Sequence, residues 1–176
     1  MITKWNFQTP TEEELHKRDK LATELGLSPV VCLLLVQRGL TTVEEVKKFF
    51  KPSLSDLHDP FLMPDMEKAV KRLNKALGNK EKILVYGDYD VDGTTAVSLV
   101  YKFLRPYSSS LDYYIPDRYD EGYGISYKGI NYAKENGITL IISLDCGIKA
   151  IEKIEYAKEL GIDFIICDHH MPDDTL

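Results

Sequence analysis

From Lys82 onward, four short apolar runs alternate with longer helical stretches, and each run ends in a cluster of polar residues. The runs occupy residues 83–86, 111–115, 138–143 and 163–167. Helical patterns between them cover roughly residues 94–104, 126–136 and 149–160, with Gly137 and Gly161 placed to close the last two. Strands that alternate with helices in this way build βαβ units, so the expected fold class is α/β, a mostly parallel sheet with flanking helices.

A helical N-terminal region is expected before this pattern. Ser28-Pro29 reads as an N-cap and first-turn pair, with Gly39 closing the helix. Thr42-Val43-Glu44-Glu45 is a capping box. A connector punctuated by Pro52, Pro60 and Pro64 follows, after which Asp65 is placed to cap an amphipathic helix ending at Gly78. The expected organisation is therefore a helical region and connector over residues 1–79 and an α/β domain over residues 80–176.

The 44% apolar and 28% charged content fits a globular chain, and no apolar run is long enough to span a bilayer. The amino end lacks a basic-then-apolar signal pattern. Cys32, Cys146 and Cys167 are odd in number and widely spaced, which argues against a disulfide framework. These features point to a cytoplasmic protein with no membrane partner. The net charge of -6 leaves a nucleic-acid substrate open, because acids that hold divalent cations present a positive charge to phosphate.

The polar clusters carry the chemistry. In α/β sheets ligands bind outside the carboxyl ends of the strands, so clusters from separate strands are expected to converge in one crevice. Asp88, Asp90 and Asp92 follow the first run at alternate positions. Carboxylates this close repel one another unless cations or solvent intervene. Small residues Gly93-Thr94-Thr95-Ala96 then let a helix N-terminus approach a phosphate. The same acids match the opening of a calcium-binding EF-hand loop, but the required twelfth-position glutamate is Leu99.

Asp145 follows the third run and can either bridge two ions or cap the helix near Lys149. Asp168-His169-His170 follows the fourth, and imidazole mixed with carboxylates suits Mn²⁺ and related ions, with Mg²⁺ also open. A structural zinc site from Cys146, Cys167, His169 and His170 is disfavoured by the absence of a CxxC knuckle. After the second run, Pro116 to Gly124 reads as an ordered loop in which Arg118 can grip a phosphate and Tyr123 can stack on a base.

Together these residues resemble the DHH phosphoesterase family, named for the triplet seen here as Asp168-His169-His170. The similarity runs nearly the whole chain: Pro52-Ser53-Leu54, Leu57-His58-Asp59-Pro60 and Met63, then Tyr86-Gly87-Asp88-Tyr89-Asp90-Val91-Asp92-Gly93, Asp117-Arg118-Tyr119-Asp120-Glu121-Gly122-Tyr123-Gly124, and Asp145-Cys146-Gly147. It implies a DHH-type, Rossmann-like domain in which Asp90, Asp92, Asp145 and His169 ligate two Mn²⁺ or Mg²⁺ ions. Asp88 and Asp168 would support the ligands, His170 would face the scissile phosphate, and Arg118, Gly122 and Tyr123 would contact substrate.

The resemblance further implies 5′→3′ exonuclease action on single-stranded DNA in repair and recombination, with a single-strand-binding protein and a helicase as partners. Family members carry another ligating aspartate downstream and a second, clamping domain. The 176 residues are therefore expected to be a fragment, weakly active alone. Two other readings stand beside this one: a relative acting on short oligonucleotides, cyclic dinucleotides or pyrophosphate, and a noncatalytic metal-binding or interaction module.

Overall fold

The computed structural model describes residue 4 and residues 9–173, which fall into two compact units, Met1–Asp59 and Pro60–Leu176. In the first unit, α1 (Glu12–Leu25), α2 (Pro29–Gln37) and α3 (Val43–Phe50) surround a small core of Leu21, Cys32, Leu35, Val36 and Val46. Capping boxes open α1, through Thr11 and Glu14, and α3, through Thr42 and Glu45. Ser28 precedes α2 but makes no side-chain cap bond; Pro29 starts that helix through its fixed φ.

The second unit begins with a short 3₁₀ turn and α4 (Met66–Gly78). Asp65 does not cap α4 with its side chain, because its backbone is left-handed at φ 58 instead of extended. Then come β1 (Ile83–Gly87), α5 (Val91–Leu104), β2 (Leu111–Tyr114), α6 (Tyr127–Glu135), β3 (Leu140–Leu144), α7 (Ile151–Glu159) and β4 (Asp163–Cys167). All four strands are parallel, in the order β2-β1-β3-β4.

Alternation along the strands divides the core between the two sheet faces. Ile83, Val85, Leu140, Ile142 and Leu144 pack with Ala76 of α4 and with Val97 and Leu104 of α5. Leu84, Tyr86 and Ile141 pack with Ile130 and Ala133 of α6 and Ala157 of α7. Helices on both faces explain why every residue of β1 and β3 is buried. At the amino ends of the strands, Arg72 of α4 binds Asp163 at 2.6 Å and Glu81 at 2.7 Å.

The strand order sets the position of the crevice. From β1 the chain crosses outward to β2, then returns over β1 to β3, so the winding reverses between β1 and β3. In register, Gly87 pairs with Leu144 and Leu144 pairs with Cys167. The residues that follow, Asp88, Asp145 and Asp168, therefore leave the sheet at one level, across the point where doubly wound folds bind ligands.

Candidate metal centre

At the end of β1 the chain enters α5 immediately, three residues earlier than its sequence pattern suggests. Asp90 is the N-cap, its Oδ1 accepting from the Gly93 amide at 2.9 Å. Asp92 consequently lies in the first helical turn, exposed, with no partner for its carboxylate among the described residues. The tight entry requires glycine: a Cβ on Gly93 would stand 2.6 Å from the Asp88 nitrogen, and one on Gly87 2.9 Å from the Gly93 carbonyl oxygen.

Asp88 is fully buried. Its Oδ1 accepts from the Gly124 amide at 3.3 Å, but Oδ2 has no hydrogen-bond partner among the described residues. A buried carboxylate oxygen without a partner is costly, so this atom is placed for a cation or a water.

Asp145 adopts a left-handed backbone at φ 60, and its amide donates to the Cys167 carbonyl at 2.8 Å, extending the β3–β4 pairing past the strand end. Its side chain does not cap a helix, since α7 begins only after Ala150. Instead Asp145 Oδ1 meets His169 Nε2 at 2.9 Å. Asp168 is held by the Ile148 amide at 3.0 Å and the His170 amide at 3.1 Å, and its Oδ1 meets His170 Nδ1 at 2.7 Å.

Burial by itself would raise the Asp168 carboxyl, but those amides and the His170 ring outweigh it and hold it below its ordinary value. The same contact raises His170 above 6.5, with Asp145 and Asp90 adding to the effect. One ligand atom from each of Asp145, His169 and His170 lies within 4.8 Å of the others.

Only part of the predicted metal set lies within 4.8 Å of its fellows, although Asp90 is near enough to raise His170. Asp145 and His169 stand together and His170 joins them, while Asp90 and Asp92 sit at the start of α5, outside that cluster. Carboxylate and imidazole donors together with the unpartnered Asp88 oxygen fit a borderline-hard divalent cation such as Mn²⁺. Cys146 is buried and is not among these grouped donors; burial, then Asp88, Asp168, Asp145 and Asp90, push its thiol up to about 12.

The loop over residues 116–126 closes the crevice from the β2 side. Tyr123 Oη lies 3.3 Å from the Asp145 carbonyl and 3.2 Å from His170 Nε2, and its ring meets those of Tyr89 and His170 edge-on. Burial and the three strand-end aspartates raise its hydroxyl to about 12. Arg118 stacks over Tyr89 at 5.2 Å, and Gly122 takes a left-handed φ of 76. The sequence pattern singles out neither Tyr89, which carries Arg118, nor Glu121 and Tyr86, which anchor the loop; Tyr89 is hidden between two more conspicuous acids.

Aspartates and paired histidines thus line a strand-end crevice at the reversal point, a donor set that suits a divalent cation. The chain belongs to the DHH family: the model of the DHH family, N-terminal domain, matches residues 82–176.

More particularly, it is 41% identical to the single-stranded-DNA-specific exonuclease RecJ of Bacillus subtilis (strain 168), over 98% of this chain and 22% of that protein. It is 35% identical to RecJ of Escherichia coli (strain K12), over 85% of this chain and 26% of that one. Among solved structures it is similar to exonuclease RecJ bound to manganese, with a TM-score of 0.59 and 32% identity over 65% of this chain and 30% of that chain. It is also similar to RecJ of Thermus thermophilus in complex with Mn²⁺, with a TM-score of 0.66 and 25% identity over 92% of this chain and 22% of that chain. The chain thus spans about a quarter of the length of the curated relatives it matches.

Proposed function

We propose that this chain supplies most of the catalytic centre of a metal-dependent exonuclease that degrades single-stranded DNA from the 5′ end. The observation that carries the reading is the convergence of Asp145, His169 and His170 donor atoms at the strand ends, where the buried Asp88 leaves the neighbouring strand at the same level as Asp145. The names of its relatives supply the substrate class. Asp90, Asp92, Asp145 and His169 would hold two Mn²⁺ or Mg²⁺ ions. When bound, such ions lower the pKa of a water and offset charge on the phosphate.

The remaining roles belong to side chains. Asp88 and Asp168 keep the ligands oriented, and the Asp168 contact at Nδ1 fixes the His170 ring as it faces the scissile phosphate. Arg118 offers a planar fork to a phosphate on the β2 side, next to Gly122. Tyr123 is better placed to hold His170 and the Asp145 carbonyl than to stack freely on a base. The setting we propose is cytoplasmic DNA repair and recombination, with a single-strand-binding protein and a helicase as partners; among the described residues, no helix is long and apolar enough to cross a membrane.

Mutation of the cluster tests the reading in the full polypeptide. Asp145→Asn preserves a side chain that tolerates φ above zero, and His169→Ala removes an imidazole. Each is expected to cut Mn²⁺-dependent release of mononucleotides by at least about 100-fold. Activity near that of the unmodified protein in either variant would refute the ligand assignment. Comparing a long single strand with a dinucleotide tests the substrate class.

A further inference from the structure

We infer that Glu121 is a positioning residue that pins the first half of the substrate loop, and with it Arg118, independently of the second half. The inference rests on the reading of Arg118 as a phosphate contact.

Glu121 is half-buried and its carboxylate collects three donors. The Asp117 amide reaches Oε1 at 2.8 Å, and Tyr114 Oη, from the end of β2, reaches Oε2 at 2.9 Å. Ser126 Oγ donates to Oε2 from the far foot of the loop. One carboxylate therefore ties the end of β2, the start of the loop and the N-cap of α6. Burial by itself would raise this carboxyl, yet the Asp117 amide and the Ser126 and Tyr114 hydroxyls hold it below its ordinary value. With its oxygens occupied by these donors, Glu121 is not free to act on substrate or metal.

Between its feet the first half of the loop has little else to hold it. The Glu121 amide returns to the Asp117 carbonyl at 2.9 Å, and Asp117 Oδ1 accepts from the Tyr119 and Asp120 amides at 2.8 and 3.0 Å. These bonds close a turn on itself, carrying Arg118 at its tip. The turn meets the rest of the unit through Glu121, through the Arg118–Tyr89 stack and through an exposed ion pair of Asp120 with Lys128 of α6 at 3.9 Å, which surface solvent screens.

The second half is fastened elsewhere. Tyr86 Oη of β1 donates to the Gly124 carbonyl at 2.9 Å and accepts from the Ser126 amide at 3.1 Å. The Gly124 amide reaches Asp88, and Tyr123 reaches the Asp145 carbonyl. Ser126 Oγ also caps α6 through the Gly129 amide, a bond that does not need Glu121. Loss of the Glu121 carboxylate should therefore free residues 117–121 and leave Tyr123 and Gly124 in place.

Two measurements on Glu121→Ala in the full polypeptide decide this, with Glu121→Gln as a milder second variant should alanine fold poorly. Amide hydrogen exchange should quicken over residues 117–121 and stay unchanged over residues 123–126. No change, or a change across the whole loop, overturns the clamp.

In steady-state degradation of single-stranded DNA, KM should rise on the order of tenfold with kcat within about twofold, the pattern of weakened ground-state binding. A fall in kcat at constant KM overturns it. On an Arg118→Ala background, Glu121→Ala should raise KM no further, and an additional rise of equal size would also overturn it. If the unmodified polypeptide degrades no single strand, the function reading falls, and the exchange pattern still decides the clamp.

Discussion

At the carboxyl end of β1 the acids are followed at once by a helix; at the end of β4 the acid is followed by two histidines in irregular chain. In the first region Asp90 is engaged by the Gly93 amide, and Asp92 is carried into the first turn of α5. In the second, the amides of Ile148 and His170 engage Asp168, which in turn orients His170, and His169 extends to Asp145 on the neighbouring strand. The same sequence signal, a polar cluster after an apolar run, thus has two structural meanings. Where a helix starts, its unsatisfied N–H groups claim the nearest carboxylate. Where no helix starts, side chains remain available to meet across strands.

The comparison can be broken most severely at Gly93. Gly93→Ala puts a methyl group against the Asp88 backbone, where the helix entry leaves no room. The expected loss is about 1–3 kcal/mol of stability, seen as a lower denaturant midpoint with an unchanged slope. A midpoint matching the unmodified protein would mean that the close approach of α5 to β1 is not required.

Asp90 tests the two meanings against each other. Asp90→Ala removes the cap and should cost about 1 kcal/mol, whereas Asp90→Asn keeps an equivalent cap and should leave stability nearly unchanged. If Asp90 is also a metal ligand, the asparagine variant still loses Mn²⁺ affinity in calorimetric titration. Unchanged affinity there would restrict Asp90 to its capping role.

The smallest expected effect lies at β4. Asp168→Asn should return the His170 titration, followed by the NMR shifts of its ring protons, toward 6.5. Because the folded value is raised, this contact stabilises fully below 6.5 and its contribution fades as pH rises through the higher folded value. A His170 titration unmoved by the substitution would show that Asp168 does not set its proton affinity.

Much of the architecture is legible from local pattern. All four strands and the three helices between them appear where periodicity and glycine placement put them, with ends shifted by a few residues. The capping box at Thr42 and Glu45 forms as its spacing requires. The start of α5 is less legible because Val91 and Asp92 carry no helix signal of their own; a capping aspartate draws the helix back to them.

The site is legible in its membership more than in its arrangement. Asp88, Asp145, Asp168 and both histidines are identifiable as polar residues at strand ends. Tyr123 is legible as an aromatic ring in a polar loop, but not as a partner of His170 and the Asp145 carbonyl. Nothing local distinguishes Glu121 from the acids around it, because its role depends on Tyr114 and Ser126 reaching one point in space.

By itself, the sequence determined the order of the elements and which residues stand where each strand ends. Those features arise from side-chain period, caps and turn residues, all of which act over a few neighbouring positions. Tertiary structure alone decided that β1 and β3 lie side by side at the reversal, and that Gly87, Leu144 and Cys167 share one level. It also decided which carboxylates are engaged by amides and which meet an imidazole. Strand pairing joins segments far apart in the chain and depends on packing both sheet faces at once, so no short stretch of sequence encodes it.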